Sequence, residues 1–388
     1  MKMWKRALVL LTALALLTAA CGNDDDPSPT PDGGGDTGGE TGNGGGDSDE
    51  PGDLSGSIEG AGATFPNPVF QDWTFEYTND VQPGVSINYQ SIGSGGGIEQ
   101  FLLQTVDFGA SERYLRDDTL EEAAEDRGCP AIQVPILFGS VTIAFGDDQF
   151  DGLVLDAETI AAIFERDIVN YNDPAIAALN PDFDLPDLDI IPVHRSDGSG
   201  TTSVFTTYLE WAAGDGSTND INGDEASNWT LGSGTEVQWP AGTIGGQGNE
   251  GVTAGIEQNE GGLGYVNQAY ALINDLPTAA IVNSDGNAVQ ATIEATTEAL
   301  EVLDVPDNFQ FDILGVGGGG FPITGAVWIF LWECGYDDVT ADILIDYWTW
   351  ATQSDTAIQL ASDLGYAPLG EGLRPRVLEA IELTNSQD

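Results

Sequence analysis

Arg195-Ser196-Asp197-Gly198-Ser199-Gly200-Thr201-Thr202 runs directly into Val204, Phe205, Tyr208 and Leu209, which are apolar residues at helical spacing. The same arrangement of a Gly- and hydroxyl-rich loop before a helix occurs twice upstream. Gly60-Ala61-Gly62-Ala63-Thr64-Phe65-Pro66 precedes Val69, Phe70, Trp73 and Tyr77, with Pro66 suited to the first helical turn and Thr64 placed to cap it. Ser91-Ile92-Gly93-Ser94-Gly95-Gly96-Gly97 precedes Ile98, Phe101, Leu102 and Thr105. Around these helices, Ser86-Ile87-Asn88-Tyr89 reads as a strand, and Ile132 to Phe145 and Ala326 to Trp332 are long apolar, β-branched runs. Strand and helix patterns alternate, which predicts an α/β fold. No internal repeat is visible.

A helix start carries unpaired N–H groups and a partial positive charge. Glycine lets a ligand approach the backbone closely, and Ser and Thr add hydroxyl donors. Three such starts can surround a tetrahedral anion with donors, and Arg195 adds a forked, charge-assisted pair. Taken singly, each loop is also consistent with an ordinary cap or turn. Together, and with a scarce arginine in one of them, they point to an anion site.

The arginine is scarce because the 388-residue chain has 64 acidic residues against 10 basic, a net charge of −54. Its lysines, Lys2 and Lys5, both lie at the N-terminus; after Arg6 the basic side chains are seven arginines and His194. Self-repulsion on this scale is relieved by salt, so a saline habitat is expected. Nucleic acid is excluded as a partner, since it requires clustered Lys and Arg, and an anionic membrane surface is equally disfavoured. With 41% apolar residues, a sizeable core is available.

The N-terminus predicts export. Lys2, Lys5 and Arg6 precede an apolar stretch over 7–20, too short to span a bilayer. Thr18-Ala19-Ala20-Cys21 resembles a bacterial lipoprotein cleavage box, with Thr18 where a branched aliphatic is usual. Residues 1–20 are therefore expected to be a signal peptide and Cys21 the lipidated residue; a plain signal with an incidental Cys is the alternative. Residues 21–55 are Gly-, Asp- and Ser-rich, with Leu54 the first aliphatic, and read as a disordered tether. The membrane is then contacted through the lipid anchor only.

The loops also carry a family resemblance. Gly60–Pro66, Asn88–Gly97, Val106–Ser111, Arg195–Thr202, Gly248–Gly251, Gly264–Ala271 and, near the end, Tyr366-Ala367-Pro368-Leu369 resemble the motifs of the PstS family. These are the phosphate-binding proteins of phosphate ABC importers, and the resemblance covers roughly the whole chain after the tether. It implies a two-domain periplasmic-binding-protein-like (type II) fold, with ligand enclosed in the cleft between domains joined by hinge strands. Domain one would be 56–143 plus 323–388, and domain two 144–322. The partners implied are inorganic phosphate and the permease subunits of an ABC transporter; no cofactor or metal is expected. The implied ligands are Thr64, the Phe65 N–H, Ser94, Arg195, Ser199, the Gly200 N–H and Thr201, with Asp197 supporting Arg195 unless it merely bonds its own loop. One position departs from the family: Gly109-Ala110-Ser111 is followed by Glu112, where Asp is usual. Glu112 either accepts the proton that phosphate retains near neutral pH and sulfate lacks, or it points to solvent. If the two hinge segments Ile132–Phe145 and Ile323–Trp332 run antiparallel, Cys129 and Cys334 lie close, as a disulfide or as two buried thiols.

An extracellular phosphate-ester hydrolase, and a surface or adhesion protein retaining the fold, are the competing readings. His194 is the only histidine, which excludes a multi-His metal site; beside Arg195 it reads as a loop or strand-end residue. Gly198-Ser199-Gly200-Thr201 lacks the lysine of a nucleotide loop, and Ile92 stands where a hydrolase elbow needs Gly. Asp220-x-Asn222-x-Asp224 hints at calcium, but Glu225 and Leu231 break the pattern, and an acidic solvated loop fits better.

Overall fold

The structure, a computed structural model, describes residues 53–213 and 229–387. The stretch read as a signal, Cys21, nearly all of the stretch read as a tether and the Asp220–Asp224 pattern lie outside the described residues. The chain begins with β1 (Ser55–Gly62), α1 (Asn67–Glu76), β2 (Gly84–Ser91), α2 (Ser94–Leu102), β3 (Phe108–Ser111), α3 (Asp117–Arg127) and β4 (Ala131–Phe145). It continues through β5 (Val154–Leu155), α4 (Ala157–Glu165), α5 (Pro174–Leu179), β6 (Ile191–Arg195), α6 (Gly200–Ala213), β7 (Ile244–Gly246) and α7 (Gly248–Gln258). There follow β8 (Gly262–Asn267), α8 (Gln268–Ile273), β9 (Ala280–Val282), β10 (Ala288–Gln290) and α9 (Ile293–Ala299). Last come β11 (Thr324–Trp332), α10 (Asp338–Gln353), α11 (Asp355–Asp363), β12 (Ala367–Pro368) and α12 (Arg374–Ile381).

Nine strands form one sheet in the order β2-β1-β3-β11-β4-β8-β6-β7, with β12 also against β4; β10, β9 and β5 make a small separate sheet. Each end of the large sheet is a parallel set: β2-β1-β3 on one side and β8-β6-β7 on the other. The two sets are joined through antiparallel pairings in the middle, and β4 makes the join. Its residues 131–140 pair with β11, and 141–145 pair with β8. The chain returns at Ile323, whose carbonyl accepts from the Val141 N–H at 2.8 Å. Pro135 lies inside β4 and has no N–H to give; there the register against β11 slips, between Val327 and Trp328, leaving Ile136 unopposed. All residues of β4 but the first, and all of β11, are buried, which is why both read as unbroken apolar runs.

The first half packs an aromatic core: Phe70 lies against Trp73, Tyr89 and Trp348, and Phe108 meets Trp348 edge-on. In the second half Phe205 stacks on Tyr265, and Phe164 contacts both. Cys129, just before β4, and Cys334, just after β11, are bonded, with Cα atoms 6.1 Å apart. Among the described residues no helix is long and apolar enough to cross a membrane.

Three local expectations need correction. Strand β1 starts at Ser55, inside the segment read as tether, and the Leu54 N–H is already bonded to Gln82 Oε1 at 3.1 Å. Helix α1 starts at Asn67, so Pro66 is the cap residue and Pro68 lies in the first turn; the Thr64 hydroxyl does not cap it. Helix α2 stops at Leu102, because Gln104 turns to φ 56°, and Thr105 lies beyond it.

Candidate anion-binding site

The expected loops all emerge at the carboxyl ends of parallel strands, where open α/β sheets gather their ligands. Strand β1 ends at Gly62 and delivers Thr64 and Phe65; β2 ends at Ser91 and delivers Ser94; β3 ends at Ser111 and delivers Glu112. From the other half, β6 ends at Arg195 and delivers Ser199, Gly200 and Thr201, and β7 ends at Gly246 and delivers the start of α7. Thr64, Phe65, Ser94, Glu112, Arg195, Ser199 and Thr201 are all buried.

Direct bonds bring the two groups together. The Ser94 hydroxyl donates to Glu112 Oε2 at 3.1 Å and accepts the Gly200 N–H at 3.0 Å. The Gly95 N–H donates to the Gly198 carbonyl at 2.9 Å. Thr64 Oγ1 accepts from the Asn249 N–H at 3.1 Å and from Asn249 Nδ2 at 2.9 Å. This close approach explains one glycine outright. A Cβ on Gly200 would sit 2.0 Å from Glu112 Oε2 and 2.7 Å from Ser94 Oγ.

Each donor is held in place. Asp197 grips Arg195 with both oxygens, Oδ1 on Nε at 2.8 Å and Oδ2 on Nη2 at 2.5 Å. The Gly248 N–H, at the start of α7, also donates to Asp197 Oδ1 at 3.0 Å. Arg195 Nη1 is left facing Thr201 Oγ1 at 3.4 Å. The Arg195 N–H donates to the Tyr265 hydroxyl at 3.0 Å, which fixes the strand end beneath the guanidinium. Ser199 Oγ accepts from the Thr202 N–H at 3.0 Å and so caps α6, keeping its own proton for another acceptor. The Phe65 N–H has no partner among the described residues, while its carbonyl accepts from the Tyr366 hydroxyl at 2.5 Å.

Glu112 is the unusual group. It is 4% exposed, and its Oε1 is buried with no hydrogen-bond partner. Burial pushes its carboxyl up from the ordinary 4.5 to about 7, against the pull of Arg195 and of the Ser94 hydroxyl, which favour the charged form. Glu112 therefore does not point to solvent; it lies among the donors with one oxygen uncommitted.

The sequence reading missed three residues here. Asn249, Tyr270 and Tyr366 converge on the Thr64–Phe65 turn, with the Tyr270 hydroxyl donating to the Thr64 carbonyl at 2.6 Å. All three lay within motifs already noted, but only the contacts give them a task. His194, in contrast, stacks on Trp239, with Nδ1 2.8 Å from the Arg195 carbonyl, and burial lowers its pKa. It is a strand residue held in place.

Residues 47–354 match the PBP superfamily domain. A phosphate-binding protein PstS of Xylella fastidiosa is 36% identical over 332 residues, covering 84% of each chain. The chain belongs to the PstS family. Among solved structures, a high-affinity periplasmic phosphate-binding protein bound with phosphate superposes with a TM-score of 0.67 at 20% identity. The match covers 83% of this chain and 92% of that one. A phosphate-binding protein from Stenotrophomonas maltophilia gives 0.64 at 19% identity, over 84% and 94%. The α/β, periplasmic-binding-protein-like fold expected of the PstS family is the fold observed.

Proposed function

We propose that this chain binds inorganic phosphate outside the cytoplasm and delivers it to the permease of a phosphate ABC transporter. The observation that carries the reading is the free, buried Oε1 of Glu112, whose other oxygen accepts from the Ser94 hydroxyl, in a site where Thr64, Ser199, Thr201 and Arg195 are buried too. Near neutral pH phosphate keeps a proton, which an ionised Glu112 accepts. Sulfate has no proton to give, and its lone pairs would face the carboxylate unpaired, at a cost of about 1–3 kcal/mol or more. Glutamate reaches one methylene further than aspartate, and its burial among these donors supports the same use.

The two halves built around these parallel sets, 56–143 plus 323–388 and 144–322, then act as domains that close on phosphate about the crossings near Ser140–Val141 and Ile323–Thr324. A carrier rather than a hydrolase is supported by the chain's likeness to phosphate-binding proteins and by His194 being held against the Arg195 carbonyl. Cys21 tethers it to the membrane surface through lipid. Isothermal titration in high salt tests the reading. Phosphate and arsenate bind, sulfate does not, and Arg195→Ala weakens phosphate at least about tenfold. Equal binding of sulfate, or no heat with phosphate, overturns it.

A further inference from the structure

Asn249 is fully buried at the N-terminus of α7, and its N–H and both side-chain polar atoms are committed. Its Oδ1 accepts the Asn267 N–H at 3.0 Å, which fixes which way the amide faces. Its Nδ2 then reaches Thr64 Oγ1 at 2.9 Å on one side and Thr201 Oγ1 at 3.4 Å on the other. The two hydroxyls come from opposite halves of the sheet. A hydroxyl oxygen has two acceptor positions and one proton. Asn249 fills both positions on Thr64, with its N–H and its amide, so the Thr64 proton is available only for donation elsewhere. On Thr201 the same two places are faced by Asn249 Nδ2 and Arg195 Nη1, each at 3.4 Å.

We propose that Asn249 is a positioning residue that sets the Thr64 and Thr201 hydroxyls as donors toward the bound anion and joins the two halves when they close. The proposal rests on the phosphate reading above. It predicts that Asn249 acts through the two threonines, so its loss and theirs are not additive. Phosphate titrations are compared for the wild type, Asn249→Ala, Thr64→Val with Thr201→Val, and the triple variant. Asn249→Ala alone weakens phosphate by about tenfold or more; in the valine background the same change costs about threefold or less. Asn249→Asp is the second variant, because it keeps the acceptor for the Asn267 N–H and replaces only the donor. It weakens phosphate more than Asn249→Ala does, since both hydroxyls turn to the carboxylate. Equal losses in the two backgrounds, or wild-type affinity in Asn249→Asp, overturn the proposal while leaving the phosphate reading intact. A wild type that takes up no phosphate overturns both.

Discussion

Glu112 is the residue whose chemistry is easiest to read from outside. Its carboxyl is pushed up to about 7 in the folded chain and returns to the ordinary 4.5 on unfolding. Between those values the folded state holds a proton that the unfolded state has lost, so stability falls as pH rises across that window. Glu112→Gln removes the ionisation and keeps the shape. Without phosphate, the variant should be about as stable as the wild type at pH 4 and more stable at pH 8.5, by up to about 3 kcal/mol, read as a higher melting temperature. Phosphate binding should fall sharply in the same variant. A wild type that melts identically at both pH values would contradict this. Arg195 and Ser94 stand out in the sequence because each lies in a short stretch with its own chemical logic, whereas Glu112 was singled out only by the family resemblance; the structure buries all three. Asn249 does not stand out, because its partner Thr64 lies 185 positions away and no local pattern links them.

At the level of elements, what was legible was whatever repeats along the chain. The apolar runs became β4 and β11, and the helical spacing of Val204, Phe205, Tyr208 and Leu209 became α6. Element ends were less legible. Helix α1 begins late because Pro66 takes the cap position and the Thr64 hydroxyl is drawn off to α7, and such long-range competition leaves no mark on the residues flanking a helix. The bond between Cys129 and Cys334 joins the start of β4 to the end of β11 across a sequence separation of 205. Replacing both cysteines with serine should lower stability by about 2–4 kcal/mol, read as a lower melting temperature. Thiol labelling of the denatured, unreduced protein should find neither cysteine free; two reactive thiols would contradict the bond.

At the scale of the molecule, charge and connectivity set the behaviour. The net charge is −54, and among the described residues the ion pairs are Arg195–Asp197 and Arg376–Asp307, the latter exposed. Most carboxylates therefore repel without compensation, and the melting temperature should climb from dilute to molar salt as screening shortens to about 3 Å. A melting temperature indifferent to salt would contradict that. Connectivity acts differently. Because β4 gives its first ten residues to one half and its last five to the other, neither half owns a complete sheet. Cutting the gene at the point where the halves meet would leave each piece with a bare, apolar strand edge, an invitation to self-association. The halves have to be made and folded as one, and recombining them between relatives would work only if the shared strand travelled whole.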